Sequence, residues 1–167
     1  MPATYEPIAT TTLGSAAATI TFSSIPGTYT DLKLIFVPII PSVDSYPVVR
    51  FNDVSSTDYS STILSGYGSG LTNDSINNAT YVTDGTYFRC TSSAPTLLQY
   101  DIFSYSGSTD KTTLISGSAD RNGAGSVGRV VNLFRSTAAI TKITITELNS
   151  NNWGIGTTAT LYGILKA

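Results

Sequence analysis

Leu32-Lys33-Leu34-Ile35-Phe36-Val37 is an almost continuously apolar run that stops at Pro38. Such a run reads as a central β-strand covered on both faces. Pro38 and Pro41 close it, because neither can donate to a ladder. Shorter segments on either side carry the complementary signal. In Thr19-Ile20-Thr21-Phe22, Ile20 and Phe22 share one face, and Ile143-Thr144-Ile145-Thr146 alternates in the same way. Further strands are expected at Val48-Val49-Arg50-Phe51, Leu97 to Phe103, Thr113 to Ile115, Arg129 to Phe134 and Ala159 to Ile164. Tyr81-Val82 and Tyr87-Phe88 bracket Asp84-Gly85, a hairpin turn signal.

No window shows a sustained helical period. Roughly nine strands separated by Gly, Ser, Asn and Asp predict an all-β fold, an antiparallel β-sandwich of jelly-roll type. Its core is expected to hold Ile20, Phe22, Leu34, Phe36, Phe51, Ile102, Leu133, Ile143, Ile145 and Leu161. Residues 1–16 carry Pro2, Pro7 and Thr10-Thr11-Thr12 and read as an N-terminal arm or edge strand, leaving residues 17–167 as one sandwich domain. Two polar, glycine-rich stretches read as loops: Gly66-Tyr67-Gly68-Ser69-Gly70 into Asn73-Asp74, and Asp120-Arg121-Asn122-Gly123-Ala124-Gly125.

Composition narrows the function classes. Of 167 residues, 41% are hydrophobic and only 12% charged, about half the usual share of charge. Neutral polar surface is less costly to desolvate against a partner than Lys or Glu, which favours a subunit of an assembly. The net charge is −2 and the basic residues are scattered, so no footprint for nucleic acid exists. The N-terminal residues lack the basic and apolar regions of a signal peptide, and the longest apolar run, Leu34 to Ile40, is too short to span a bilayer. Synthesis in a cytoplasm without membrane insertion is the expectation.

Chemistry has little to work with. There is no histidine, which removes the usual general base and the commonest zinc ligand. Cys90, the single cysteine, reads as a small buried hydrophobe. Asp53 and Asp58 are the carboxylates a glycosidase would have to set opposite each other, and with Asn52 they are the candidates for a calcium loop. Turn chemistry explains all three residues more simply. The Gly66 to Gly70 stretch lacks the Lys-Ser/Thr pair and the following helix of a nucleotide loop. No cofactor, no metal and no catalysis are therefore expected. Tyrosines near strand ends, and Trp153 in Asn151-Asn152-Trp153-Gly154, suit either interface contacts or ordinary packing.

Three segments carry a family resemblance: Ala18 through Ile25-Pro26-Gly27-Thr28-Tyr29 to Leu32; Val49-Arg50-Phe51-Asn52 through Tyr59-Ser60 to Gly66; and Arg135 through Ala138-Ala139-Ile140 to Ile143, with the closing Leu161-Tyr162-Gly163-Ile164. In them the chain resembles short structural proteins, and terminal domains of longer ones, of cyanophages and other marine phages. The resemblance spans almost the whole chain and departs from the pattern at Pro38 and Pro41. It implies a virion component with no active-site residues. Similar modules occur on heads and tail fibres. The expectation is a capsid decoration (cement) protein, bound to the major capsid protein or other virion proteins and trimeric with itself. The alternative is a tail-fibre or receptor-binding module that contacts a host glycan or protein. The expected contact residues are Pro2, Tyr5, Pro7, Leu13, Tyr67, Asn73, Arg121, Asn122 and Trp153.

Overall fold

The computed structural model describes residues 4–41, 45–68, 70–82, 88–90, 92, 94–120, 122–123 and 125–165. Among these it contains eleven strands: β1 Tyr5–Thr12, β2 Thr19–Phe22, β3 Asp31–Val37, β4 Pro47–Phe51, β5 Tyr59–Tyr67, β6 Gly70–Ala79, β7 Thr96–Phe103, β8 Lys111–Ala119, β9 Ser126–Phe134, β10 Ile143–Glu147 and β11 Thr158–Ile164. All strand pairings are antiparallel. Eight strands form one sheet, in the order β1-β11-β3-β7-β8-β9-β5-β6, and three form a second, β2-β10-β4. The all-β sandwich arrangement is thus observed. Its partition of eight and three strands is not the pair of Greek keys that the term jelly roll describes.

The alternating strands dictate the core. Ile20 and Phe22 of β2, Ile143 and Ile145 of β10, and Val49 and Phe51 of β4 are buried and belong to one cluster with Leu34, Phe36, Leu98, Ile102 and Leu161 of the large sheet. Phe134 of β9 stacks on Tyr59 with ring centroids 4.7 Å apart and meets Phe51 of the small sheet at 5.6 Å. Aromatic pairs at these separations add to the burial itself, about 0.5–1.5 kcal/mol each. Leu133 was expected inside, but the register of β9 turns Val130, Asn132 and Phe134 inward and leaves Leu133 half-buried on the other face. Cys90 is buried.

Small residues let one ring lie flat on the large sheet. Gly117 of β8 and Gly128 of β9 are register partners. A Cβ at Gly117 would come within 2.5 Å of the Phe88 ring, and one at Gly128 within 3.1 Å. Strand interiors disfavour glycine, so this pair reflects the close approach.

Several expectations are corrected. β3 is central, yet only Leu32, Leu34 and Phe36 are buried; Lys33, Ile35 and Val37 are half-buried on the outward face, so the strand is fully covered on one side only. It runs to Val37, paired with Thr158, before Pro38 ends it. The stretch from Gly66 to Asp74 is no loop. It is the hairpin of β5 and β6, in register from Ser61↔Ile76 to Tyr67↔Gly70. The N-terminal segment is an edge strand and not a free arm, since β1 pairs with β11 from Tyr5↔Ile164 to Thr12↔Thr158. Trp153 is fully buried and meets Phe36 edge-on at 5.1 Å, so it packs the core and cannot serve as an exposed anchor. The Asp84-Gly85 turn, Pro2 and Arg121 lie outside the described residues.

Candidate functional site

The outward face of the eight-stranded sheet is where the molecule departs from a simple sandwich. A sheet face in water ordinarily alternates to polar side chains. Here β9 turns Val127 and Val131 outward, β5 turns Leu64, β6 turns Leu71 and β7 turns Leu97, and all five are exposed. Leu71 is 87% exposed and Val127 63%. Register brings them together. Gly66 of β5 lies between Leu71 and Val127. A Cβ there would sit 3.7 Å from each of them, so the two side chains flank a bare stretch of backbone.

This bare stretch floors a groove of about 590 Å³ at one end of the sheet, walled by Val37, Leu71, Pro95, Leu97 and Val127 and bordered by Gly68, Gly70, Asp120, Gly123 and Gly125. A second concavity of about 400 Å³ shares Val37 and Pro95 and adds Pro38, Ile39 and Ile40. Exposed apolar surface that is contiguous, as opposed to scattered, marks a place where something docks.

Charge is sparse on this face. Exposed Arg129 lies beside Leu64, its register partner. Nearer the opposite end Lys33 and Asp101 form an ion pair at 3.0 Å, and Lys33 also lies 5.6 Å from the centre of the Tyr5 ring.

Of the carboxylates singled out from the sequence, Asp53 bonds across to the β10 segment and Asp58 bonds within its own loop. Asp53 accepts from Lys142 Nζ and, at 2.9 Å, from Thr144 Oγ1. Those two hydrogen bonds, Lys142 first, hold its carboxyl below the usual carboxylate range against a small opposing effect of burial. Asp58 accepts from Ser56 Oγ, and its backbone carbonyl accepts from Arg135 N at 2.8 Å. Asn52 Oδ1 accepts from Thr141 N at 2.9 Å and Lys142 N at 3.1 Å, while Nδ2 donates to Ala139 O at 2.8 Å. Among the described residues no three of His, Cys, Asp and Glu come together as a metal-binding group.

Asn52 is a latch between the β4 exit and the segment before β10, held at a φ of 51° that asparagine tolerates better than most residues. Glycine also accepts that φ, so Asn52→Gly isolates the hydrogen bonds. It is expected to lower stability by about 1 kcal/mol, read as a shift of the urea midpoint at unchanged slope.

The contact residues expected from the sequence are divided. Leu13, Tyr67 and Asn122 fall at the groove end of the sheet, where β1, β5 and β8 finish. Asn73 lies on the outward face opposite Leu64. Tyr5 and Pro7 are on β1 toward its other end, paired with Ile164 and Tyr162. The residues that line the groove most fully, Leu71, Leu97 and Val127, were absent from that expectation. Their signal was apolar side chains at both parities of β7 and β9.

No family model, no curated protein and no solved structure matches this chain. The apolar groove and sheet face therefore carry the functional argument, together with the sequence resemblance.

Proposed function

We propose that the chain is a structural protein of a bacteriophage particle, a decoration or cement protein that seats the groove end of its large sheet on neighbouring major capsid subunits. The observation that carries this reading is the exposed row Leu71, Val127 and Leu97 along a groove. A surface made of aliphatic side chains and glycine backbone, with Asp120 at its rim, suits a broad, permanent protein contact better than recognition of a small polar ligand. Burial of such surface across a seam between shell subunits means that opening the shell must re-expose it to water. At about 25 cal/mol per Å² of apolar area, several hundred Å² give a useful clamp. A specific attachment needs on the order of 1,000 Å² in total. The resemblance to phage structural proteins supplies the particle, and the low charge supplies a surface that desolvates readily.

Particles labelled with an antibody to this protein are expected to show label over the head in many copies by electron microscopy. Val127→Asp and Leu97→Asp place a carboxylate on the face without touching the core. Each is expected to weaken attachment to particles lacking the protein by tenfold or more, with an unchanged melting temperature. Label confined to the tail would overturn the cement reading in favour of a fibre or receptor-binding module. In that case Tyr67, 52% exposed at the hairpin tip, becomes the residue to substitute first.

A further inference from the structure

The two edges of the large sheet are built differently. β1 carries Pro7, which has no N–H to offer, and its register shifts between Pro7 and Ala9. Proline and irregularity are both devices that blunt an edge against pairing with another chain. β6 has neither. It runs ten residues, Gly70-Leu71-Thr72-Asn73-Asp74-Ser75-Ile76-Asn77-Asn78-Ala79, with no Pro, Lys or Arg. Among the described residues it has a strand on one side only. In the small sheet the edges are short, four residues in β2 and five in β4, and Val49 of β4 is bridged to Val82. Of the four strand edges among the described residues, β6 is the longest and has no proline, and its Ser75 N donates to Asp74 Oδ1 at 2.7 Å.

The side chains of β6 indicate what can lie against it. Leu71, Asn73 and Ser75 face outward with Gly66, Leu64 and Thr62, while Thr72, Asp74 and Ile76 face the other way. A second copy related by a two-fold axis must set residues of the same face opposite each other, so the axis passes through a residue position. An axis at Asp74 would oppose two carboxylates, and an axis at Ser75 would oppose each Asp74 to Ile76. An axis at Asn73 opposes Asn73 to itself, Leu71 to Ser75 and Thr72 to Asp74. Each Asn73 amide can then both donate and accept, and each threonine hydroxyl can donate to a carboxylate.

We propose that two copies of this chain pair β6 to β6 about a two-fold axis at Asn73, joining the two large sheets into one continuous sheet. The contact is isologous and closes at the dimer. A three-fold assembly through the same edge would need β6 to meet β1 of the next copy, where Pro7 and the bulge oppose it. The dimer therefore replaces the trimer expected from the sequence. This inference does not depend on the virion reading; both outward faces end on the same side of the joined sheet, whatever they bind.

Sedimentation equilibrium on the full chain is expected to give twice the 17.6 kDa chain mass. Asn73→Lys sets two ammonium groups face to face and is expected to weaken association tenfold or more, with the circular dichroism spectrum unchanged. Asn73→Cys is expected to give a disulfide-linked dimer on mild oxidation, while Leu71→Cys, which meets Ser75, does not. The buried Cys90 does not compete. A monomer throughout the micromolar range, a trimer, or a dimer that survives Asn73→Lys would each overturn the proposal. If Asn73→Lys fails to fold, crosslinking at residue 73 decides, and its absence overturns the proposal as well.

Discussion

Replacing Trp153 with alanine is expected to remove about 3–5 kcal/mol of folding free energy, the range for a buried large aromatic reduced to a methyl. The indole is fully buried and packs edge-on to Phe36, on the core face near the end of β3. Its backbone is bridged to Ala17 in both directions, at 2.9 and 3.1 Å, and the next residue donates from Gly154 N to Ile39 O at 2.7 Å. The backbone is thus held in place and cannot collapse to fill the void, which puts the loss toward the top of the range. Trp153→Phe is expected to cost less than half as much, because Nε1 has no hydrogen-bond partner among the described residues and only volume is lost. Since the chain has one tryptophan, unfolding must be followed by circular dichroism and not by indole fluorescence.

The second large effect is an alkaline loss of stability centred on Tyr59. Its ring is fully buried between Phe51 and Phe134. Its hydroxyl accepts from Phe51 N at 3.1 Å and lies 3.4 Å from the carbonyl oxygens of Phe51 and Val54. Burial pushes its pKa from 10.0 up to about 12, against the hydrogen bond to Phe51, which pulls it down. Because the folded value lies above the unfolded one, the folded chain keeps a proton that the unfolded chain has released. The contribution is therefore fully present below pH 10 and is lost as pH rises toward 12, a fall of about 2–3 kcal/mol. Tyr29 and Tyr105 are also raised, chiefly by burial, and act in the same direction. Burial lowers Lys111, which acts oppositely until its unfolded value is passed. The test is accordingly a difference. Urea unfolding at pH 9 and at pH 12 should show a loss in the parent chain that is smaller by about 2–3 kcal/mol in Tyr59→Phe. Equal losses in the two chains would remove Tyr59 from the explanation.

What the sequence revealed depended on whether a strand's two faces differ. β2 and β10 alternate cleanly, so both their existence and their inward residues were legible. β6 was not, because an edge strand with few apolar residues takes its conformation from the ladder with β5 and leaves no periodic trace. β5 was hidden for a related reason: two of its inward positions, Ser61 and Ser65, are polar. At β3 and β9 the difficulty was the reverse. Apolar residues on both faces were taken for double burial in one case, and gave the wrong inward residue, Leu133, in the other. That same excess of apolar side chains is what builds the candidate surface, so the site and the misreading share one cause. Turn chemistry accounted for Asp58, which bonds to Ser56, but Asp53 reaches across to Lys142 and Thr144, partners that could be named only once β10 had been placed beside β4.

β11 lies between β1 and β3, so a strand near one end of the chain pairs with one near the other and with the first strand of the core face. Until Ile164 has been synthesised, β3 has its β7 partner but presents a bare edge on its other side, and β1 has no partner at all. The order of synthesis thus leaves an apolar strand edge open during the whole time that the intervening strands are being made. Pairings between such distant segments are slow to form, and open strand edges are where growing chains aggregate. Production of this protein should therefore be sensitive to translation rate and to temperature, and a chain that stops before β11 should be recovered as aggregate even though all of its other strands are present.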